Sequence, residues 1–267
     1  MLLPRLSPTQ KSERRRWLYP LAAAMVVALA GCATQETGPS AIAKPDLARA
    51  AQINTQLGVD YARQGDYALA QQKLERAISQ RADYAPAHSA LAFVYSRTGS
   101  MENAEREYRR ALQLAPDDPD IQNNFGTFLC SEGKGVEAQQ YFQRALASPH
   151  YSTPAAAWTN AGVCALNMQQ RQDAERDFES ALRADPDFAQ AVEHLAVLSY
   201  QNGNYLRART LIQHYSRLAR LGPGMLLLSS RVERALGDTA RAQALEVQLI
   251  QNYPQSREAA EVGAPRS

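Results

Sequence analysis

From Leu57 to Ile78, apolar and small residues return every three or four positions. Leu57, Gly58 and Tyr61 fall in one stretch, Ala70, Leu74 and Ala77 in the next, with Gly65 between them. This spacing lays one apolar stripe along each of two helices separated by a turn. The same positions recur thirty-four residues on as Leu91, Ala92, Tyr95, Gly99, Ala104, Tyr108 and Ala111. A third copy reads Phe125, Gly126, Leu129, Gly133, Ala138, Phe142 and Ala145. A fourth carries Trp158, Ala161, Gly162, Ala165, Ala174, Phe178 and Ala181, and a fifth Leu195, Ala196, Gly203, Ala208 and Ile212. The period predicts helix–turn–helix units near 51–84, 85–118, 119–152, 155–188, 189–222 and 223–255.

The repeat matches the tetratricopeptide pattern, and each of its parts has a physical reason. Small residues at Gly58, Ala92, Gly126, Gly162 and Ala196 let the first helix of a unit approach the second closely. Alanines such as Ala70, Ala104 and Ala138 meet them from the opposite helix. Gly65, Gly99, Gly133 and Gly203 mark the turns, and Pro116 and Pro186 close second helices. The expected fold is all-α, a right-handed superhelical solenoid of about six units. Between the third and fourth units the period lengthens by two within SPHYSTPAA (148–156), in an interrepeat turn. The sixth unit keeps Gly237, Ala242 and Pro254 but has Ser230 and Glu233 at landmark positions, as suits a terminal unit that caps the stack. Residues 256–267 read as a polar tail.

The first thirty-one residues have a different character. Arg14, Arg15 and Arg16 precede the apolar run WLYPLAAAMVVALA, which is short for a spanning helix of about 20 residues. An ordinary cleaved signal or a short anchor would share those features. The tetrapeptide Leu29-Ala30-Gly31-Cys32 resembles a bacterial lipobox, with residues 1–31 as the signal peptide and Cys32 as the acylated first residue of the mature chain. No aspartate follows Cys32, which resembles outer-membrane sorting of such lipoproteins. Several acyl chains hold a membrane firmly where one does so only marginally. The span 32–50 then reads as lipidated cysteine and flexible tether, its Gly/Pro/Ser/Thr-rich part long enough to reach about 45 Å.

Charge adds little beyond this. The chain has 29 basic and 27 acidic side chains, but residues 1–31 hold five of the basic and one of the acidic. The rest carries 24 against 26, a net charge of −2, and nothing points to nucleic acid. His88, His150, His194 and His214 lack metal spacing, and the Gly-Lys-Gly at 133–135 lacks the rest of a phosphate loop. No enzyme, cofactor, metal or small-molecule substrate is expected. The pattern describes a binding surface.

First helices line the concave side of such a solenoid. The register places Thr55, Val59, Ser89, Phe93, Asn123, Thr127, Thr159 and Val163 there. Beside them run the amides Gln56, Asn124 and Asn160, with His194 one unit later. Amides bond both N–H and C=O of an extended peptide, although tying neighbouring helices together is the other use open to them. Val59 and Phe93 supply an apolar floor. Ser89 and Phe93 stand where chaperone-tail receptors carry cationic clamps, so a carboxylate-terminated tail is not the expected ligand.

The lipobox, the tether and six such units together resemble the type IV pilus biogenesis lipoproteins of the PilF/PilW kind, the pilotins. The more specific likeness lies in NNFGTFLCSEGKGVEAQQYFQRAL, SPHYSTPAAAWTNAGVCAL, HLAVLSYQNGNYLRAR and RALGDTARAQALEVQLIQNYPQS. The resemblance implies a lipid-anchored, periplasm-facing outer-membrane protein that binds the pilus secretin and promotes its localisation and multimerisation. The alternative is a periplasmic adaptor lipoprotein in cell-wall synthesis or outer-membrane protein assembly.

Two of the three cysteines remain. In the repeat register Cys164 lies two residues earlier in its helix than Cys130 does. At about 100° per residue, they point from opposite faces of equivalent helices, and parallel neighbours meet through opposite faces. An oxidising compartment would join them. A disulfide is expected, with a pair of buried free thiols as the alternative.

Overall fold

A computed structural model describes residues 46–263. Among these residues there are thirteen helices and no strand. The first three units pair α1 (Leu47–Arg63) with α2 (Tyr67–Gln80), α3 (Ala85–Arg97) with α4 (Met101–Leu114), and α5 (Pro119–Ser131) with α6 (Gly135–Ala147). The next three pair α7 (Pro154–Asn167) with α8 (Arg171–Ala184), α9 (Ala189–Gln201) with α10 (Tyr205–Leu218), and α11 (Pro223–Ala235) with α12 (Thr239–Asn252). A short α13 (Arg257–Gly263) closes the order. Each first helix packs on the second helix of its own unit and on the next first helix, and each after α1 also packs on the second helix of the unit before. This is the expected tetratricopeptide solenoid.

The elements start where local chemistry starts them. Asp46, Asp66, Asp118, Asn204 and Asp238 each accept a bond from a backbone N–H in the first turn of their helix. Pro119 follows Asp118 as the first residue of its helix, and Pro154 and Pro223 open others, where the missing N–H costs nothing. Because Asp46 is such a cap, α1 begins four residues before the expected domain start at 51, and the end of the expected tether is helical.

The small positions act as the repeat implies. A Cβ on Gly126 would sit 2.8 Å from Phe142 Cε1, and one on Gly162 2.7 Å from Phe178 Cε1. Both phenylalanines are fully buried against the opposing backbone. Turn glycines at 65, 99, 133, 203 and 237 have φ between 75° and 86°. In the fourth unit that place is taken by Gln169, the one positive-φ non-glycine among the described residues, at 63°. A left-handed side-chain-bearing residue costs about 1–2 kcal/mol, and glycine returns part of that in unfolded-state entropy. Gln169→Gly is therefore expected to stabilise by about 0.5–1 kcal/mol, read as a higher urea midpoint. An unchanged or lower midpoint would refute this account of the turn.

The lengthened connection is not slack. Tyr151, in the middle of the 148–153 loop, is buried against Ala145 and Ala157. The sixth unit's two off-pattern residues are likewise used. Glu233 is buried and receives the guanidinium of Arg209, with Arg241 Nε 3.2 Å from its other oxygen. Ser230 Oγ donates to Glu246 Oε1 at 2.8 Å. Beyond Pro254 the expected polar tail is instead α13 as far as Gly263. Its start at Arg257 lies one period after that of α11, so α13 is the first two turns of a seventh unit. Ala259 is buried with Leu226, Leu227 and Leu249, closing the C-terminal end.

One carboxylate is poorly placed. Glu107 on α4 bonds His88 Nδ1 at 2.7 Å, but at the same place in the fourth unit Asp177 has Trp158 in the register of that histidine. Burial, and then the nearby Asp173, push the Asp177 carboxyl up to about 6. A folded-state value above the ordinary one means that ionisation opposes folding, and the deficit builds as pH rises from near 4 through about 6. Asp177→Asn is expected to raise stability at pH 7.5 by about 1 kcal/mol after allowance for partial exposure. Melts at pH 4 should show no gain. A gain that does not depend on pH would remove the electrostatic explanation.

Candidate functional site

The first helices of the first three units enclose a cavity of about 500 Å³. Six of the eleven expected groove residues line it: Thr55, Gln56 and Val59 from α1, Ser89 and Phe93 from α3, and Asn124 from α5. The cavity floor is apolar, with Leu74 reaching in from α2 and Ile121 from α5. A second concavity of about 380 Å³ shares Phe93 and Asn124 and adds Thr127 and Asn160. Phe93 stands between the two. It is 43% exposed, a large aromatic ring held on a rigid helix and left open to solvent.

The remaining three expected residues line neither space. Thr159 is buried, and its hydroxyl donates to Ala155 O of its own helix at 2.8 Å. Asn123 is buried, and Asn160 Nδ2 donates to its Oδ1 at 3.0 Å. Val163 packs against the core of Ala165, Phe178, Leu195 and Leu198. These side chains point into the stack because the face of the first helix they occupy is already covered by its neighbours.

The amides divide between the two uses open to them. Asn160 ties α7 to α5 through Asn123. Asn124 Nδ2 reaches Ser89 Oγ at 3.4 Å, a long bond between α5 and α3. Gln56 bonds only within α1, to Asp60 at 3.1 Å, and is exposed in the cavity wall. His194, one unit beyond the amides, lies flat on Phe178 with ring centroids 4.9 Å apart. Burial holds its pKa below the ordinary value.

Sequence reading missed the far rim of the cavity. Asp118 and Asp120, at the start of α5, stand there with Tyr84 just before α3 and Pro86 in its first turn. Asp118 is occupied as the cap of α5, bonding the N–H groups of Asp120 and Ile121. Burial, then the Asp118 charge, raise the Asp120 carboxyl above its ordinary value. The Asp-Pro-Asp turn is visible in the sequence, but only the curvature of the stack sets it on the rim of a cavity that α1 also lines.

Cys130 on α5 and Cys164 on α7 are paired in a disulfide, with Cα atoms 5.7 Å apart and thirty-four positions separating them in sequence. Cys164 is fully buried among Phe125, Phe128 and Leu129. The bond joins the third and fourth units across the lengthened loop. Cys32 lies outside the described residues.

Comparison with known proteins bears on this site. Tetratricopeptide-repeat family profiles match residues 61–124 and 165–225. The type IV pilus assembly protein PilF of Pseudomonas aeruginosa is 30% identical over 247 residues, 91% of this chain and 96% of PilF. The crystal structure of PilW, described as a widely conserved type IV pilus biogenesis factor, superposes with a TM-score of 0.72. It is 33% identical and covers 80% of this chain and 98% of PilW. The solved structure of P. aeruginosa PilF has the same TM-score at 28% identity, over 81% and 98% of the two chains.

Proposed function

Because this chain belongs to the PilF/PilW family of tetratricopeptide-repeat proteins of type IV pilus biogenesis, we propose that it is an outer-membrane lipoprotein that binds the pilus secretin. In this role it brings the secretin to the outer membrane and favours its assembly into multimers. The observation that carries this reading is the alignment with PilF over 96% of PilF's length, joined to the Leu29-Ala30-Gly31-Cys32 lipobox. No turnover is needed. A binder that prefers the membrane-delivered or assembled secretin shifts the population toward it by the difference in affinity.

Each part has its own task in this scheme. Acylated Cys32 holds the chain at the periplasmic face of the outer membrane, and the residues before Asp46 space the helical stack from the lipid. The cavity under α1, α3 and α5 offers an apolar floor with amide and hydroxyl groups at its edge, the chemistry that suits an extended peptide segment. Exposed Phe93 is the natural anchor.

Replacing Cys32 with Ser in cells that make pili tests the reading. The variant is expected to leave the outer-membrane fraction, and secretin multimers there should fall with it. Normal fractionation would sink the lipid anchor. Full secretin multimers in a strain lacking the protein altogether would sink the secretin role.

A further inference from the structure

Every unit except the first has its first helix covered by the second helix of the unit before. The register shows what that cover does. The counterparts of Ile53 are Ala87, Ile121, Ala157, Ala191, Met225 and, in the truncated seventh unit, Ala259, all at most 5% exposed. Ile53 itself is 52% exposed. The counterparts of Leu57 are Leu91, Phe125, Ala161, Leu195 and Ser229, at most 7% exposed, whereas Leu57 is 40% exposed. Leu69 on α2 is in register with Arg207, which in the fifth unit reaches back to Glu175 and Glu179 on the second helix of the fourth. Leu69 is 38% exposed. The first unit thus shows solvent an apolar version of the surface that every later unit buries.

A solenoid end normally carries a polar outer face, and here the C-terminal end is closed by α13. Ile53 and Leu57 lie one turn apart on α1. Val59 is two residues past Leu57, about 200° round the helix, and faces the concave cavity, which neither Ile53 nor Leu57 lines. The two surfaces use opposite sides of one helix.

The missing cover is described by six interfaces within the chain. Ile121, the same residue type as Ile53, is packed by Ala111, Leu112 and Leu114 of α4. Arg109, from the same helix, lies over the Phe125 ring at 5.9 Å. On Ala87 the covering pair is Ala77 and Ile78. An alanine followed by Leu or Ile recurs in the second helix of each of the first four units. We propose that the N-terminal face of α1 is a second docking surface, which takes an amphipathic helix of a partner protein carrying a small residue followed by Leu or Ile on its apolar stripe. That helix continues the stack as the second helix of a preceding unit. It is apolar where the fourth unit has Glu175 and Glu179, since Leu69 offers them no cation. A second copy of this chain does not supply it. Its second helices are already seated on first helices, and the last of them, α12, packs against α13.

The probe is a hydrocarbon-stapled copy of residues 101–114, the helix that covers Ile121, carrying Glu105→Leu and Arg109→Leu so that it is apolar at the places in register with Glu175 and Glu179. It is titrated into the purified full chain while the Ile53 methyl resonance is followed. A saturating shift is expected, with affinity at least tenfold weaker in Ile53→Asp and unchanged in Phe93→Ala. A peptide with Glu at the places of Ala111 and Leu112 should not bind. Four results would overturn the proposal. One is no shift with the probe, and another is equal binding by Ile53→Asp. A third is a dimer in sedimentation that Ile53→Asp dissolves, which would make a second copy the occupant. The last is an Ile53 methyl already shielded from a soluble paramagnet, which would mean that the chain covers its own face.

Discussion

Breaking the Cys130–Cys164 bond is expected to lower the unfolding free energy by about 3–4 kcal/mol, the chain-entropy value for a closed loop of this length. For a chain of this size that is a fall in melting temperature of about 10 °C. The loop contains the longest connection between units, residues 148–153, which Tyr151 holds against Ala145 and Ala157. Stability in a solenoid is a sum of unit terms and nearest-neighbour terms. A weakened joint between the third and fourth units should therefore broaden the denaturant transition or split it in two. The comparison is between the oxidised chain and the same chain reduced and alkylated, followed by urea unfolding. Cys130→Ala with Cys164→Ala serves as a second route that leaves no bulky adduct in the core. Identical midpoints for the oxidised and bond-free forms would show that the bridge contributes nothing. Two labelled thiols in the protein as isolated, before any reductant, would show that it does not form.

The fold was legible because each unit repeats the same local problem. Two short helices must bury one stripe each, and Gly58, Gly126 and Gly162 state in the sequence where backbone and side chain meet. The cysteine pair was legible for the same reason, since a two-residue offset in register is an angle. The groove was legible only in part. Val59 and Phe93 lie where the register puts them, on the cavity wall, but Thr55, Ser89 and Thr159 are buried at their shared position and Val163 packs into the stack. A side chain's fate at those positions depends on the local cover from the next unit, which the period alone does not specify. Residues 257–263 looked like a tail because seven residues are too few to show a helical period. They carry the register of the first helix of a seventh unit. Gln169 hid the fourth turn, since a left-handed residue without glycine leaves no mark in composition.

On the proposed secretin-binding role, Phe93→Ala is expected to weaken capture of a secretin segment by about 2 kcal/mol, roughly thirtyfold in Kd, while leaving the stack intact. Two features of the ring set the size of this effect. It is exposed between two concave spaces, so a partner that fills either one buries it. It is also fixed on a helix, so little conformational freedom is lost when it is covered. Because the ring is largely solvent-exposed in the free chain, truncation should change unfolding by no more than about 0.5 kcal/mol. Phe125 is the contrast. It is fully buried and packs edge-on against Tyr141 with centroids 4.9 Å apart. Phe125→Ala should cost about 3–5 kcal/mol of stability, through the cavity it leaves. Measuring both variants by thermal melts and by titration with purified secretin fragments separates binding from folding. Loss of binding with an unchanged melt places Phe93 in the interface. A Phe93→Ala chain that melts early would make it a core residue. A stable variant that binds as well as the parent would move the secretin contact out of this cavity.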